Sequence, residues 1–216
     1  MAAGRGRRGR RAGALAAVLA VAALAGACSG SGYQYVTNRS AGTYFKIPDD
    51  WELFEVTVED RPEAVAPDRP WQVVFDASPD PSLEHLGELG DHPVGFAKIV
   101  TYTSESDRST VSLSTLRGLA INGQGDPLAL IADGNDSIEL VDYQDVVTDD
   151  GYHGNRIVLN VKTTGGDFAT VAQIAMLDPA TTKLYQLQVA CLSSCFDRYR
   201  TEIDRLLDSW TIDPKD

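Results

Sequence analysis

Histidine is scarce in this chain, and cysteine occurs three times in 216 residues. The three histidines, His85, His92 and His153, stand in no His-Glu-x-x-His spacing, which removes the helical zinc-protease arrangement. No Gly-x-Ser-x-Gly occurs, so the nucleophile elbow of the α/β-hydrolases is missing. A glycine-rich phosphate loop is missing as well. Glu84-His85 and Asp91-His92 put an acid beside an imidazole, but each pair falls in a polar loop and reads as solvated surface. The thiols fall short of the four soft ligands a structural zinc takes, and Cys191-Leu-Ser-Ser-Cys195 lacks the two-residue spacer of thiol oxidoreductases. No enzyme, no metal and no cofactor is expected.

Basic residues are also few, 19 Lys+Arg against 31 Asp+Glu. Five of the nineteen, Arg5, Arg7, Arg8, Arg10 and Arg11, crowd the first eleven positions. A long apolar run occurs in one place only, the sixteen residues Ala12 to Ala27. That is short of the roughly 20 residues a spanning helix needs, and it suits the core of a signal peptide behind a basic start. The run closes on Leu24-Ala25-Gly26-Ala27-Cys28. Small residues suit a peptidase that tolerates no bulk beside the cut, and the Cys28 thiol would accept the lipid. The stretch resembles a bacterial lipobox, with Ala25 where Leu or Val is commoner. An ordinary secretory signal, with Cys28 following the cut by chance, is the competing reading. The arginine pairs raise twin-arginine export, but no bulky apolar pair follows them directly, and general secretion is the default.

Cleavage before Cys28 would leave 14 basic against 31 acidic residues, a formal charge of −17. Such a surface repels phosphate backbones and anionic headgroups, so nucleic acid is not an expected partner. Attachment to the membrane then falls to the lipid on Cys28, placing the protein on the extracytoplasmic side of the cell membrane. One acyl chain holds weakly and two hold stably. In that compartment the two remaining thiols, Cys191 and Cys195, are expected to form a disulfide across a short loop.

Three segments are expected: a signal peptide over 1–27, a lipidated cysteine and Ser-Gly tether over 28–41, and one domain over 42–216. Strand patterns cover Tyr44 to Ile47, Trp51 to Glu59, Trp71 to Phe75 and Gly95 to Thr103, with a loop over Asp60 to Arg69. Asp80-Pro81 is expected to open a helix, Ser112 to Ile121 to form one, and Asp126-Pro127 to open another. Ile138 to Val147, Arg156 to Lys162, Phe168 to Met176 and Lys183 to Cys191 then read as an antiparallel meander on short turns. The closing helix, capped by Ser194, carries Phe196, Tyr199, Ile203, Leu206, Leu207 and Trp210 as an apolar stripe that fits the face of a sheet. A last edge strand at Trp210 to Ile212 completes an α+β sandwich.

The opening Tyr44-Phe45-Lys46-Ile47-Pro48-x-x-Trp51 and the closing Leu207-Asp208-Ser209-Trp210-x-Ile212 together resemble the superfamily of the photosystem protein PsbP, a Ran-binding nuclear import factor and LpqN-type lipoproteins. The resemblance implies an antiparallel sheet flanked by helices, a PsbP-like α/β/α sandwich with its C-terminal amphipathic helix packed on the sheet. It also implies a role in binding other proteins. No residue here matches the metal-related role of the photosynthetic protein, and the Cys191–Cys195 pair is a departure from the general pattern.

The middle of the chain carries the feature of most functional interest. From Arg117 to Arg156 no Lys or Arg intervenes, while Asp126, Asp133, Asp136, Glu139, Asp142, Asp145, Asp149 and Asp150 do. Asp133-Gly134-Asn135-Asp136-Ser137 partly resembles a calcium loop but lacks the alternating ligands and the closing Glu. A solvated acidic face accounts for the run. A face that steers in a basic protein does so too, with Asp133, Asp136, Glu139, Asp142 and Asp145 as its residues. Two functions remain: an envelope lipoprotein that binds another envelope or secreted protein, or a carrier holding a lipid or apolar ligand. A ligand pocket lined by Phe54, Trp51, Trp71, Phe75, Tyr102, Phe168 and Trp210 would mark the carrier; a filled core with an exposed patch would mark the binder.

Overall fold

Period-two alternation of β-branched and aromatic residues builds most of this molecule. The computed structural model describes residues 32–56 and 71–213. Cys28, the signal segment and the loop expected over residues 60–69 therefore lie outside the described residues. Tyr33–Asp216 forms one compact unit.

Strand β1 (Tyr33–Asn38) turns into β2 (Thr43–Pro48) through a 3₁₀ turn at Arg39–Ala41. The Asn38 side chain caps that turn at Ala41 N, and Gly42 takes the left-handed φ of 60° that a Cβ disfavours. The two-residue β10 (Thr211–Ile212) pairs with the other side of β2, completing a three-stranded sheet. The expectation that residues 28–41 form a tether is thus corrected: Tyr33 to Asn38 pair residue for residue with β2. The domain begins nine residues before position 42. Alternating Tyr33, Tyr35 and Thr37 carried the strand signal, and a partner available only after folding completes it.

The larger sheet runs β3-β4-β5-β9-β8-β7-β6, all antiparallel. Its strands are β3 (Glu52–Glu55), β4 (Trp71–Asp76), β5 (Val94–Thr101), β6 (Ile138–Val147), β7 (His153–Lys162), β8 (Phe168–Leu177) and β9 (Lys183–Leu192). The last four make the expected meander, and β9 returns beside β5. Three short helices fill the β5–β6 connection: α1 (Glu105–Thr110), α2 (Leu113–Gly118), which runs on as 3₁₀ over Leu119–Ile121, and α3 (Pro127–Ala132), capped by Asp126. The helix expected from Asp80 is instead a 3₁₀ segment at Leu83–Gly87 capped by Ser82. Asp76 Oδ2 accepts from Ser82 N at 2.9 Å, holding the chain back so that the turn starts later.

Helix α4 (Ser193–Asp208) follows β9 with no residue between them. Leu192 therefore occupies its cap and no side chain caps it. Ser194 does not serve, while the preceding Ser193 Oγ donates to Phe168 O at 3.1 Å. Phe196, Ile203, Leu206 and Leu207 are buried against Phe75, Ala97, Val158, Leu187 and Val189 of the large sheet and Phe45 and Ile47 of the small one. Each such side chain contributes about 1.5–3 kcal/mol through burial. The helix ends zipped to β2: Ser209 Oγ accepts from Lys46 N, and Trp210 Nε1 donates to Thr43 Oγ1 at 2.7 Å. On the opposite face α2 and the segment after it cover Ile157, Leu159, Ala175 and Leu184. The fold is an α+β sandwich with helices on both faces of the sheet and the C-terminal helix packed on one of them.

Candidate functional site

Strand β6 closes one edge of the large sheet and, among the described residues, pairs with β7 alone. Most of its side chains are exposed, including Leu140 and Val141 at 44% each and Val147 at 76%. The register shifts between Leu140 and Asp142 in a β-bulge at Val141. Side chains of Ile138 and Leu140 share one face, and the extra residue sends Asp142, opposite Val158, to the α4 face. Tyr143 and Asp145 then fall on the face that α2 and α3 cover.

The five acidic positions singled out in the sequence do not form one plane. Asp133 ends α3, and Asp136 lies in the turn before β6. Glu139 and Asp142 lie toward the α4 face, with Asn160 Nδ2 donating to Glu139 at 3.2 Å. Asp145 lies on the other face and accepts from the Tyr143 hydroxyl. They form a rim around the edge strand. All five are exposed, and none takes part in an ion pair among the described residues. In the calcium-like stretch Asn135 Oδ1 accepts from Ser137 N at 2.9 Å, closing a local turn. Among the described residues no group of His, Cys, Asp or Glu gathers as for a metal.

Asp126, the remaining acid at the start of the run, is held differently. Arg117 Nε donates to its Oδ1 at 2.8 Å and a second nitrogen to its Oδ2, while Nη1 donates to the Tyr143 hydroxyl at 3.1 Å. The guanidinium lies 5.6 Å from the Tyr143 ring centre. The Arg117 bond holds the Asp126 carboxyl below its ordinary range, and the Asp126 bond raises the guanidinium. This bidentate pair ties α2 to the start of α3 and to β6, and so fixes the edge strand. Between β6 and α4 lies a groove of about 470 Å³ lined by Val141, Asp142, Arg156, Phe196, Arg200 and Asp204 among others. Arg156 bonds Asp204 at 2.9 Å and also Asp208, and its Nε–H has no partner among the described residues.

Two other places merit chemical scrutiny. Asp76, 1% exposed, accepts from Ser78 N, Ser82 N and Ser78 Oγ, and His85 Nδ1 lies 2.7 Å from its Oδ2. Burial pushes this carboxyl up, but the Ser82 and Ser78 N–H groups and the His85 ring outweigh it and hold it below its ordinary 3.8. The Asp76 bond raises His85 above 6.5. Asp, His and Ser meet, yet Ser78 Oγ approaches the same Nδ1, at 3.4 Å. A relay needs the nucleophile at Nε2. The cluster is therefore a clasp on the 77–85 loop, and His85, read as solvated, is one of its parts.

The second place is the sheet face beside α2. Two adjoining cavities of about 650 and 710 Å³ share Gly87, Leu89, Ala120, Asn122 and Val171. Gln72, Lys98 and Gln188 give the first a mixed lining. None of the aromatics named as carrier markers lines either. Phe75 and Trp51 are buried on the α4 side, with Trp71 and Trp210 packed against them.

No protein-family model matches the chain, and no curated protein does. Among solved structures it is similar to cyanobacterial PsbP (CyanoP) from Synechocystis, at 14% identity over 86% of this chain and 95% of that one, with a TM-score of 0.47. It is similar to LpqN, involved in cell envelope biogenesis of Mycobacterium tuberculosis, at 14% identity over 86% and 88%, TM-score 0.44. The Saccharomyces cerevisiae Ran-binding protein Mog1p matches at 8% identity over 83% and 95%, TM-score 0.45. Each is a likeness of chain path; the architecture of this domain rests on its own strand registers.

Cys191 and Cys195 are bonded, with Cα atoms 6.0 Å apart, and join the end of β9 to the first turn of α4. Sequence reasoning missed the Arg117–Asp126–Tyr143 tie and the Asp76–His85 clasp. Arg117 had one signal, its place as the cation bordering an acidic run; nothing linked Asp76 to a histidine nine residues on.

Proposed function

We propose that this chain is a lipid-anchored, extracytoplasmic lipoprotein that acts without catalysis, binding another envelope or secreted protein. The observation that carries the binding role is the β6 edge: exposed Leu140, Val141 and Val147 set among carboxylates with no cationic partner among the described residues. An unpaired edge with apolar side chains is a liability unless something covers it, and a field of one sign selects a partner of the other. The anchor rests on the Arg-rich start, the sixteen-residue apolar run and Cys28. Four residues separate Cys28 from β1, so covalent geometry keeps the first residue of β1 within about 20 Å of the lipid.

A carrier of lipid or apolar ligand is the alternative, and the paired cavities beside α2 favour it. Their lining is mixed where apolar ligands select predominantly hydrophobic and aromatic walls, which leaves binding of protein as the first reading. Photo-crosslinking in intact cells from β6, with mass spectrometry of the products, separates the two. Protein adducts from Leu140, Val141 or Val147, together with non-covalent pull-down of the same protein that weakens as salt is raised, support the module. Lipid adducts from the cavity beside α2, with no protein adducts from any surface position, would establish the carrier.

A further inference from the structure

We infer that the partner supplies an extended, basic segment that adds as a strand to the outer edge of β6, alongside Asp142–Val147. This deepens the binding role proposed above and rests on it. The geometry has three parts. Past the bulge at Val141 the β6–β7 register is regular from Asp142 to Val147, six residues whose outward backbone groups have no neighbouring strand among the described residues. The main chain of an added strand satisfies those groups, and its alternate side chains need somewhere to go. On one face that place exists: the groove between β6 and α4, where Val141 and Phe196 give apolar wall and Asp142 gives a carboxylate, while Asp204 and Asp208 are held by Arg156. On the other face Tyr143 is fixed by Arg117, so the strand meets a rigid neighbour and not a mobile one.

The charge selects the occupant. Glu139, Asp142 and Asp145 lie on the strand, and Asp149 and Asp150 follow in the turn, with no Lys or Arg before Arg156. A second copy of this chain pairing edge to edge would lay acid against acid, which is destabilising. An added strand with lysine or arginine at alternate positions would place cations beside Asp142, which takes part in no ion pair among the described residues. The bulge keeps the competent edge short, which limits pairing by chance.

The test uses the full chain in neutral-detergent micelles and two synthetic decapeptides of equal charge. One alternates Lys with Val; the other replaces the valines by prolines, which cannot pair as a strand. The Lys-Val peptide is expected to bind at least tenfold more tightly and to slow hydrogen exchange within residues 142–147. Asp142→Lys should abolish that protection while leaving the thermal midpoint close to the parent's, since its side chain is exposed. Asp149→Lys with Asp150→Lys serves as the control for bulk charge and should retain the protection. Equal binding of the two peptides, or protection confined to other elements, overturns strand addition. In cells, partner adducts formed only from positions away from β6 would also overturn it while leaving the module standing. Absence of protein adducts from every surface position would remove the module itself.

Discussion

The Asp76–His85 clasp shows how a single pair of residues sets a pH window. His85 has its pKa raised by the bond to Asp76, so its contribution is complete below 6.5 and is lost as pH rises through the folded value. Asp76 runs the other way: its pKa is lowered, so its contribution is complete above 3.8 and is lost as pH falls through the folded value. Both are in full force between those limits. An NMR titration of the imidazole should return a pKa above 6.5 for His85, and Asp76→Asn should bring it back toward that value. The stability profile of Asp76→Asn should flatten at the acid end. A His85 pKa at or below 6.5 in the parent would mean that the clasp is not formed in solution. Losing Asp76 also frees the Ser78 and Ser82 N–H groups, each worth about 1–3 kcal/mol if left buried without an acceptor. The 77–85 loop should accordingly gain protease sensitivity before the rest of the domain does.

At the scale of elements, the β9–α4 junction passes from sheet to helix with no residue between and a disulfide across it. The Cys191–Cys195 bridge closes a five-residue loop, for which chain entropy gives about 2 kcal/mol. Reduction under native conditions should lower the unfolding free energy by that amount, and the urea midpoint by that amount divided by the denaturant slope m, checked by unfolding with and without reductant, and leave the far-ultraviolet dichroism unchanged below the transition. The same junction shows what sequence makes legible. The β6 to β9 strands follow closely from alternation, and the α4 stripe from helical spacing, because each pattern reports one buried face. Burial of the second face leaves no such trace. Gln186 reads as the polar side of its strand, opposite Tyr185 and Leu187, yet it is buried, joined by a 2.8 Å bond to buried Gln173 and covered by α2, whose Leu116 carbonyl accepts from Gln173. Helix α1, Glu-Ser-Asp-Arg-Ser-Thr, has no apolar stripe and is set by the Ser104 cap, so periodicity passes over it. The acidic rim was visible as composition. That it borders an unpaired edge was not, because an edge is defined by the strand order of the whole sheet.

At the scale of the molecule, charge and anchoring are one problem. A chain with 31 acidic and 19 basic residues, five of the latter before Cys28, offers the anionic leaflet repulsion where a polybasic surface would offer about 1 kcal/mol of attraction per residue. Among the described residues no helix is long and apolar enough to cross a membrane. Under the proposed anchoring, retention should depend on lipid at Cys28, and two acyl chains are enough for stable hold where one is marginal. Cys28→Ser is expected to move nearly all of the protein from the membrane pellet to the soluble fraction. Because Cys28 precedes β1, the substitution should leave the unfolding transition of the domain untouched, which separates loss of anchor from loss of fold. Raising the salt should not return the variant to the pellet, since screening removes repulsion without creating attraction. A Cys28→Ser protein that still sediments with membranes after a high-salt wash would show that something other than lipid holds it. The short reach from the lipid to the start of β1 would then have no basis.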